Sequence, residues 1–497
     1  MIYLADAKEM KSVDSYSIQT LGIPSMVLME RAAYATAVRI NALLKERENK
    51  KVIAVCGSGN NGGDGLAIVR ILHTMGYDAS WYMAGDERRA TTETAMQLEI
   101  LGRMGLSPCG GLEALKGAGL IVDAVFGIGL TREVAGEYAR TVEAINASGA
   151  LVCAVDIPSG IGTDRGQVLG CAVKADITVT FGENKLGLVL YPGAAYAGKV
   201  FVENIGFPPT AVEQAHIHSF AYEREDLKTC LPKRHPYSNK GTYGKVLVIA
   251  GSQHMAGACY FSARAAYGCG CGLVRVYTPC ENHDVLLTRL PEAVMTLYDH
   301  DHVDLKALEE SISWADAVVI GPGLSTDETA CRILEHTLKT CAVPLLIDAD
   351  GLNLLAQEPR LWDLVPEKTV ITPHLGEMSR LTGQPVSRLN CHLTEACRDF
   401  SRTHKVICVL KDARTVISDG EQICVNLSGN DGMATGGSGD VLSGVIGGFL
   451  AAKMTPLQAA SLGCFVHGCA GDEARKVKGA YGLLASDIIQ YMSKVIR

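Results

Sequence analysis

A Gly-rich segment near the C-terminus carries residues that could transfer a phosphoryl group. Residues 436–439 read Gly-Gly-Ser-Gly and are followed by Asp440 and by the apolar run 441–450. This pattern predicts a loop that enters a helix, whose free backbone N–H groups and positive dipole end would face phosphate oxygens. Because a carboxylate repels phosphate, Asp440 is a candidate base for an attacking hydroxyl. The alternative is a plain turn in which Asp440 caps the helix.

Side chains with oxygen ligands follow three predicted strands in the first half of the chain. Asn61 lies in a Gly-rich turn, residues 57–65, and Asp123 and Ser159 lie at the ends of two other strands. The carboxyl ends of parallel strands meet at one edge of a sheet. We therefore expect Asn61, Asp123 and Ser159 to converge on a hard cation, which prefers oxygen ligands. The alternative is that each of them caps a turn.

Strand ends in the second half also carry candidate ligand groups. Residues 321–323 (Gly-Pro-Gly) would allow a ligand to approach the backbone, and Asp348 and Asp350 add carboxylates. His374 lies in the first turn of a predicted helix, where capping is the alternative to ligand contact. Residues 411–415 (Lys-Asp-Ala-Arg-Thr) supply two cations and a hydroxyl suited to a nucleotide diphosphate. An exposed hairpin turn explains this segment equally well.

Two sheets are needed to position these groups. Short β-branched runs alternate with helical patterns twice along the chain, which is typical of parallel sheets covered by helices on both faces. The strands predicted in the first half are 52–55, 80–83, 120–126, 151–156 and 177–181, with a helix at 66–72. Those predicted in the second half are 245–252, 272–277, 317–323, 344–351, 370–374, 406–411 and 415–417. The periodicity fails between 204 and 244, so we predict two doubly wound α/β/α domains joined by a connector.

The composition limits the possible classes of function. The 497 residues are 47% hydrophobic and 20% charged, with a formal net charge of −8. This charge argues against nucleic acid or an anionic membrane as the main partner. The sequence has neither a signal pattern nor an apolar run near the ~18 residues that cross a bilayer, so we expect a cytoplasmic protein. The 17 cysteines lack the spacing of a zinc site and are expected to be reduced and mostly buried.

Four motifs of the first half occur together. They are 28–32 (Leu-Met-Glu-Arg-Ala), 59–65 (Gly-Asn-Asn-Gly-Gly-Asp-Gly), 123–129 (Asp-Ala-Val-Phe-Gly-Ile-Gly) and 156–160 (Asp-Ile-Pro-Ser-Gly). Residues 1–215 thereby resemble the NAD(P)H-hydrate epimerase domain, which implies a Rossmann-like fold and a K⁺ ion on Asn61, Asp123 and Ser159. The residues implied to bind the hydrated dinucleotide are Asn60, Asn61, Gly62, Gly63, Asp64, Gly127, Ile128, Gly129, Leu130, Thr131, Arg132, Glu133, Tyr138 and Asp156. Asp156 ends a buried strand and is the candidate catalytic acid/base.

The second half carries its own set of motifs. They are 251–252 (Gly-Ser), 257–258 (Gly-Ala), 321–324 (Gly-Pro-Gly-Leu), 372–377 (Thr-Pro-His-Leu-Gly-Glu) and 436–442 (Gly-Gly-Ser-Gly-Asp-Val-Leu). Residues 222–497 thereby resemble the ribokinase-like, ADP-dependent NAD(P)H-hydrate dehydratase domain. The residues implied to contact the hydrate are Ala258, Gly323, His374 and Asp440. Those implied to bind the nucleotide are Lys411, Asp412, Ala413, Arg414, Thr415 and Gly439.

The chain as a whole therefore resembles the fused enzymes that repair hydrated NADH and NADPH. The resemblance implies that the first domain epimerises the R and S hydrates. The second would dehydrate the S hydrate at the expense of ADP, releasing AMP and phosphate, with Asp440 as the catalytic base. It also implies K⁺ in the epimerase domain, Mg²⁺ in the dehydratase domain, ADP or ATP as co-substrate, and a homo-oligomer.

One alternative remains, because kinase-like folds accept many substrates. The chain could be a vitamin-precursor or sugar kinase fused to a non-catalytic Rossmann-like binding module. The set Asn61, Asp123, Asp156 and Ser159 weighs against a module that only binds.

Overall fold

The computed structural model describes residues 1–496, which fold into two compact units. The first unit is Ile2–Ser219, and the second begins at Phe220. Within residues 1–496, none of the helices combines the length and the apolar character that crossing a membrane would require. Two parallel sheets with flanking helices confirm the predicted α/β class.

The first unit is built on six parallel strands. Its strands are β1 (Ile2–Ala5), β2 (Val52–Cys56), β3 (Ala79–Met83), β4 (Leu120–Ala124), β5 (Leu151–Val155), β6 (Ile177–Phe181), β7 (Asn184–Lys185) and β8 (Lys199–Glu203). Its helices are α1 (Ala7–Ser15), α2 (Ser25–Leu44), α3 (Asn60–Thr74), α4 (Thr92–Arg103), α5 (Glu137–Asn146), α6 (Leu186–Val189) and α7 (Pro209–Ala215). The sheet has the order β3-β2-β4-β5-β6-β8. Its inner strands are buried on both faces, which explains their continuous β-branched runs.

Helix α3 corrects one prediction. The sequence pattern placed a Gly-rich turn at residues 57–65 and a helix from residue 66, but α3 begins at Asn60. The glycines inside the helix allow it to approach the sheet closely. A Cβ at Gly65 would lie 2.6 Å from Ala124 Cβ and 2.8 Å from Cys56 Sγ, on strands β4 and β2. The prediction was wrong because these glycines serve close packing rather than chain reversal.

The second unit has a larger sheet. Its strands are β9 (Ser219–Ala221, which contains the boundary between the units), β10 (Lys245–Ile249), β11 (Leu273–Pro279), β12 (Val294–Tyr298), β13 (Ala317–Ile320), β14 (Leu345–Ile347), β15 (Val370–Ile371), β16 (Ile407–Leu410), β17 (Val416–Ser418) and β18 (Ile423–Val425). Strands β12-β11-β10-β13-β14-β15-β16 are parallel, and β17 and β18 add antiparallel strands beyond β16.

The helices of the second unit cover its parallel sheet. They are α8 (Leu227–Cys230), α9 (Ala256–Gly268), α10 (His283–Arg289), α11 (Leu305–Trp314), α12 (Glu328–Thr340), α13 (Asp350–Gln357), α14 (Leu375–Thr382), α15 (Val386–Cys391), α16 (Leu393–His404), α17 (Ser438–Ala451), α18 (Pro456–Lys478) and α19 (Ala485–Val495). Helix α17 is buried from Val441 to Ala451. Its glycines allow close packing: a Cβ at Gly444 would collide with Ser262 O of α9, and one at Gly447 with Val319 of β13.

The cysteines follow the sequence prediction. All 17 are free thiols, and most of them are buried. Cys280 and Cys391 are the exposed ones. The buried thiols pack as small hydrophobic side chains, as in the core of the second unit.

Candidate active sites

A cavity of about 730 Å³ lies at the carboxyl edge of the first sheet. Segments that follow β2, β4, β5 and β6 line it, as expected for a ligand site in a parallel sheet. Among the residues implied to bind the hydrated dinucleotide, those in the lining are Asn60, Asn61, Asp64, Gly127, Ile128, Gly129, Leu130, Thr131, Arg132, Tyr138 and Asp156. The other three, Gly62, Gly63 and Glu133, are not among the described residues that line the cavity. Gly62 and Gly63 are buried on the packed side of α3.

Asp156 is held in one orientation at this cavity. It follows β5 with a φ of +67°, a conformation that a non-glycine residue rarely adopts. Its Oδ1 accepts hydrogen bonds from Lys185 Nζ at 2.6 Å, Thr180 Oγ1 at 2.9 Å and the Phe181 N–H at 3.3 Å. Lys185 is fully buried, and its Nζ also donates to Thr180 Oγ1 and to Phe181 O, each at 2.7 Å. The carboxylate therefore reaches the cavity already paired with a cation.

Three more carboxyl groups line the same cavity: Asp64 on α3, Asp14 on α1 and Glu93 on α4. Burial raises the pKa of Asp64 well above its ordinary value, and the charges of Asp156 and Asp14 add to the effect. Burial also raises the pKa of Asp14, with further contributions from Asp156 and Glu93. A cation-paired carboxylate beside a carboxyl group biased toward its protonated form is an arrangement that suits acid/base chemistry.

The three predicted cation ligands are arranged around the segment Phe126–Gly127. Ser159 Oγ donates to Asp123 Oδ1 at 2.6 Å, its N–H donates to Oδ2 at 2.8 Å, and its Oγ accepts from the Phe126 N–H at 2.8 Å. Burial raises the pKa of Asp123 to about 6, against the hydrogen bonds from Ser159. Asn61 packs on Gly127, where a Cβ would lie 3.2 Å from Asn61 Oδ1. The Nδ2 of Asn61 is buried and has no hydrogen-bond partner among the described residues.

This donor set fits a cation of low charge. It offers a carboxylate, a hydroxyl and an amide oxygen, which are the ligand types of hard cations. The unpartnered Nδ2 shows that the side chain of Asn61 is not tied down by other hydrogen bonds. Within residues 1–496, no group of three or more His, Cys, Asp and Glu side chains is placed to hold a metal.

In the second unit, the Gly-rich segment enters helix α17 as expected. Gly437 is the N-cap residue, with a φ of +88° and no side-chain cap, and the helix begins at Ser438. Asp440 is thus in the first turn and does not cap the helix. The atom nearest to a Cβ at Gly439 would be Lys411 Nζ, at 3.6 Å. Free helix N–H groups, the helix dipole and an ammonium group together form a site suited to phosphate.

Lys411 is half-buried and forms an ion pair with the buried carboxylate of Asp348. Its Nζ donates to Asp348 Oδ1 at 3.0 Å, and Ser443 Oγ donates to Asp348 Oδ2 at 2.6 Å. Burial alone would raise the pKa of Asp348, but the charge of Lys411 and the hydrogen bond from Ser443 hold it below its ordinary value. Asp348 is therefore ionised and keeps Lys411 in place beside α17.

Asp440 has a different environment. Burial, and then the negative charges of Asp348 and Asp350, raise its pKa to about 7, while Lys411 lowers it. A carboxyl group with this pKa can accept a proton and later release it near neutral pH, as a general base must.

His374 caps a helix beside this site. It is the N-cap residue of α14, and its Nδ1 accepts from the N–H groups of Gly376 at 2.9 Å and Glu377 at 3.2 Å. Burial and the charge of Lys411 lower its pKa, which agrees with an acceptor role for Nδ1. The Lys411 N–H donates to Pro373 O at 2.8 Å, so His374 lies alongside Lys411. The sequence analysis placed His374 in the first turn of the helix, whereas the structure places it at the N-cap, where it has the capping role that was the alternative.

The other residues implied for the second site fall into two groups. Ala258 and Gly323 are neighbours: a Cβ at Gly323, which has a φ of +61°, would lie 2.8 Å from Ala258 Cβ. Residues 411–415 join β16 to the antiparallel β17, so the segment is indeed a hairpin turn. Within it Asp412 and Ala413 are exposed, whereas Arg414 and Thr415 are half-buried.

Sequence reasoning missed two buried partners of the predicted residues. Lys185 is visible as a single lysine before the apolar run 186–190, and Ser443 as a hydroxyl on the apolar helix that follows Asp440. Asp348 is recognisable as a strand-end carboxylate, but its pairing with Lys411, 63 positions away, is not.

Two family models match the chain. One described as the YjeF-related protein N-terminus matches residues 25–187. One described as NAD(P)H-hydrate dehydratase matches residues 246–494.

Similar proteins extend over the full chain. The bifunctional NAD(P)H-hydrate repair enzyme of Moorella thermoacetica is 35% identical over 520 residues, covering 100% of this chain and 97% of that protein. That of Thermofilum pendens is 37% identical over 513 residues, covering 99% and 96%. Among solved structures, a ribokinase-like superfamily protein from Enterococcus faecalis has a TM-score of 0.50 and 32% identity, covering 56% of this chain and 96% of that one.

Proposed function

The chain belongs to the family of bifunctional NAD(P)H-hydrate repair enzymes, and on that premise we propose how its residues divide the work. The enzyme returns hydrated NADH and NADPH to the reduced cofactor. Residues 1–215 form the epimerase domain, which interconverts the R and S hydrates. Residues 222–497 form the dehydratase domain, which acts on the S hydrate with ADP as phosphoryl donor, and the chain works as a homo-oligomer.

The dehydration proceeds through phosphorylation of the hydrate. Hydroxide is a poor leaving group, so the ring hydroxyl attacks the terminal phosphoryl group of the nucleotide while Asp440 takes its proton. ADP leaves as AMP. The lone pair of the ring nitrogen then expels phosphate, and loss of a proton from the adjacent ring carbon restores the dihydronicotinamide.

The N-terminus of α17 supports this assignment. Its N–H groups and Lys411 Nζ can stabilise the charge that develops on the transferring group. Lys411, Asp412, Ala413, Arg414, Thr415 and Gly439 bind the nucleotide. Ala258, Gly323 and His374 contact the hydrate together with Asp440. Mg²⁺ carried by the nucleotide would neutralise part of the phosphate charge.

In the first unit, Asp156 moves the proton that epimerisation requires, and the lining of the cavity holds the dinucleotide. Gly62, Gly63 and Glu133 contribute through the segments that carry Asn61 and Arg132 rather than as part of that lining. Asn61, Asp123 and Ser159 would hold K⁺, whose charge would stabilise the buried Asp123 and fix the Phe126–Gly127 segment of the cavity wall.

The single observation that carries the proposal is the placement of Asp440, with its raised pKa, in the first turn of α17 beside Lys411. The test is to incubate the purified chain with both hydrate epimers and either ADP or ATP. We expect recovery of dihydronicotinamide absorbance from both epimers and release of free phosphate, with ADP as the better donor. A stable phosphorylated product without recovery of absorbance would favour the kinase alternative. Light scattering tests the homo-oligomer.

A further inference from the structure

We propose that Lys185 is a positioning residue for epimerisation, which holds one oxygen of Asp156 so that the other oxygen works on the hydrate. The proposal rests on the epimerase function proposed above for the first unit. It concerns a residue outside the motifs that carry the family resemblance.

Lys185 is buried although it carries a charge. Lysine is almost never fully buried unless its charge is paired, yet Lys185 is 1% exposed. It lies at the end of β7, before the buried apolar turn of α6. A methionine or leucine would pack at such a position without the cost of burying an ammonium group, so the cation must serve its neighbours.

The hydrogen bonds of Lys185 show which neighbours it serves. An ammonium group has three protons to donate, and the Nζ of Lys185 has three acceptors: Asp156 Oδ1, Thr180 Oγ1 and Phe181 O, at 2.6, 2.7 and 2.7 Å. No proton is left for a substrate. Lys185 must therefore act through Asp156 rather than as a proton donor to the hydrate.

The two oxygens of Asp156 are unequal as a result. Oδ1 accepts from Lys185, Thr180 and the Phe181 N–H, whereas Oδ2 accepts no hydrogen bond from residues 1–496. The terminal torsion of an aspartate is otherwise soft, so these three bonds fix which oxygen is free. The side chain is 15% exposed and lines the cavity. Oδ2 is therefore the oxygen available to the substrate.

The charges around the pair make the cation necessary. Asp14 on α1 and Asp64 on α3 interact with Asp156, and Glu183, two residues before Lys185, interacts with Lys185 itself. The other cations in the lining are Lys11 and Arg132. Without Lys185, several carboxyl groups would share the cavity with less positive charge, and Asp156 would lose the cation that fixes its Oδ1.

The test uses the full chain and the S hydrate without nucleotide, so that the appearance of the R hydrate reports epimerisation alone. We expect Lys185→Met to lower kcat for epimerisation by about 100-fold, the lower range for acid/base catalysis, with KM changed by less than roughly threefold. Lys199→Met, which changes an exposed lysine of β8, should leave both unchanged. Circular dichroism and thermal unfolding check that the first unit of each variant is folded, and dehydration of the S hydrate with ADP checks the second unit.

Each other outcome has a defined meaning. If the wild-type chain does not epimerise, the proposed function fails and not merely the role of Lys185. A Lys185→Met chain with near wild-type kcat, or with a KM that rises as much as kcat falls, overturns the inference. If Lys185→Met does not fold, the Thr180→Val variant tests the inference instead. It removes the hydrogen bond from Thr180 to Asp156 Oδ1. The loss of this charge-assisted hydrogen bond should lower kcat by about tenfold. Unchanged epimerisation by this variant also overturns the inference.

Discussion

Lys411 donates to Asp348 Oδ1 at 3.0 Å, and both members of this ion pair act on the titration of Asp440. Burial is the largest cause of the raised pKa of Asp440, about 7. Asp348 raises this pKa further, and Lys411 lowers it. Removing the charge of Asp348 should therefore lower the pKa of Asp440, whereas removing the charge of Lys411 should raise it.

The pH profile of dehydration should reveal that opposition. A general base must be ionised, so the rate should rise with pH through about 7. Lys411→Met should move this limb to higher pH because the carboxylate loses a stabilising cation. Asp348→Asn should move it to lower pH because it removes a like charge. The rising limb of the pH profile is measured as kcat for dehydration at saturating nucleotide. A shift of this limb in the same direction in both variants would contradict this account.

The two activities should be separable by single substitutions. Asp440→Asn keeps the shape of the side chain but cannot take a proton, so it should lower dehydration by at least about 100-fold and leave epimerisation intact. Asp156→Ala should do the reverse. Both rates are measured on each variant. Loss of both activities in a folded Asp440→Asn chain would refute independent sites, and normal epimerisation by Asp156→Ala would exclude Asp156 as the acid/base.

Asp440→Asn should also change the stability of the second unit in a pH-dependent way. The folded-state pKa of Asp440 is about 7, whereas an unfolded aspartate titrates near ~3.9. Between these two pH values the folded chain binds a proton that the unfolded chain releases. The contribution of Asp440 to the free energy of unfolding therefore falls as pH rises from ~4 and is lost above about 7. Asp440→Asn should therefore be more stable than the wild type at pH ~8, by at most about 4 kcal/mol, and similar to it near pH ~4. Chemical unfolding at both pH values measures the difference. Equal stability at both would count against the raised pKa.

The fold could be predicted where burial shapes the sequence. Inner strands such as β2 and β13 are buried throughout, so their β-branched runs stand out. Strands β8 and β12 were not predicted, because they lie at sheet edges and consist mostly of exposed and half-buried residues. Helix α3 began earlier than expected because its glycines resemble a turn in sequence.

The candidate sites could be predicted only in part, for a related reason. Strand ends and glycine motifs are local, so Asp440, Asp123 and Ser159 were recognisable as candidates. Ion pairs are not local: 29 positions separate Asp156 from Lys185. A single sequence shows which groups can carry charge, but folding decides which charges meet.

The proposed K⁺ site predicts ion-specific stabilisation of the first unit. A cation that binds the folded chain raises its melting temperature to an extent set by its concentration relative to Kd. KCl should therefore raise the melting temperature of the first unit more than choline chloride at equal ionic strength. Asn61→Leu should abolish this difference because it removes the amide ligand that packs on Gly127. Equal effects of both salts on the wild type would argue against a specific site.

The close packing of α3 on the first sheet predicts opposite effects of two Gly→Ala substitutions. A Cβ at Gly65 would meet Ala124 Cβ at 2.6 Å and Cys56 Sγ at 2.8 Å, so Gly65→Ala should destabilise the first unit by about 1–3 kcal/mol through overpacking. Gly102 lies in α4, and no atom lies within 4 Å of the position that a Cβ would take there, so Gly102→Ala should stabilise the unit by up to about 1 kcal/mol. Residual epimerase activity after heating measures both, with dehydratase activity as the internal reference. If Gly65→Ala were as heat-resistant as Gly102→Ala, the glycines of α3 would not be explained by close packing.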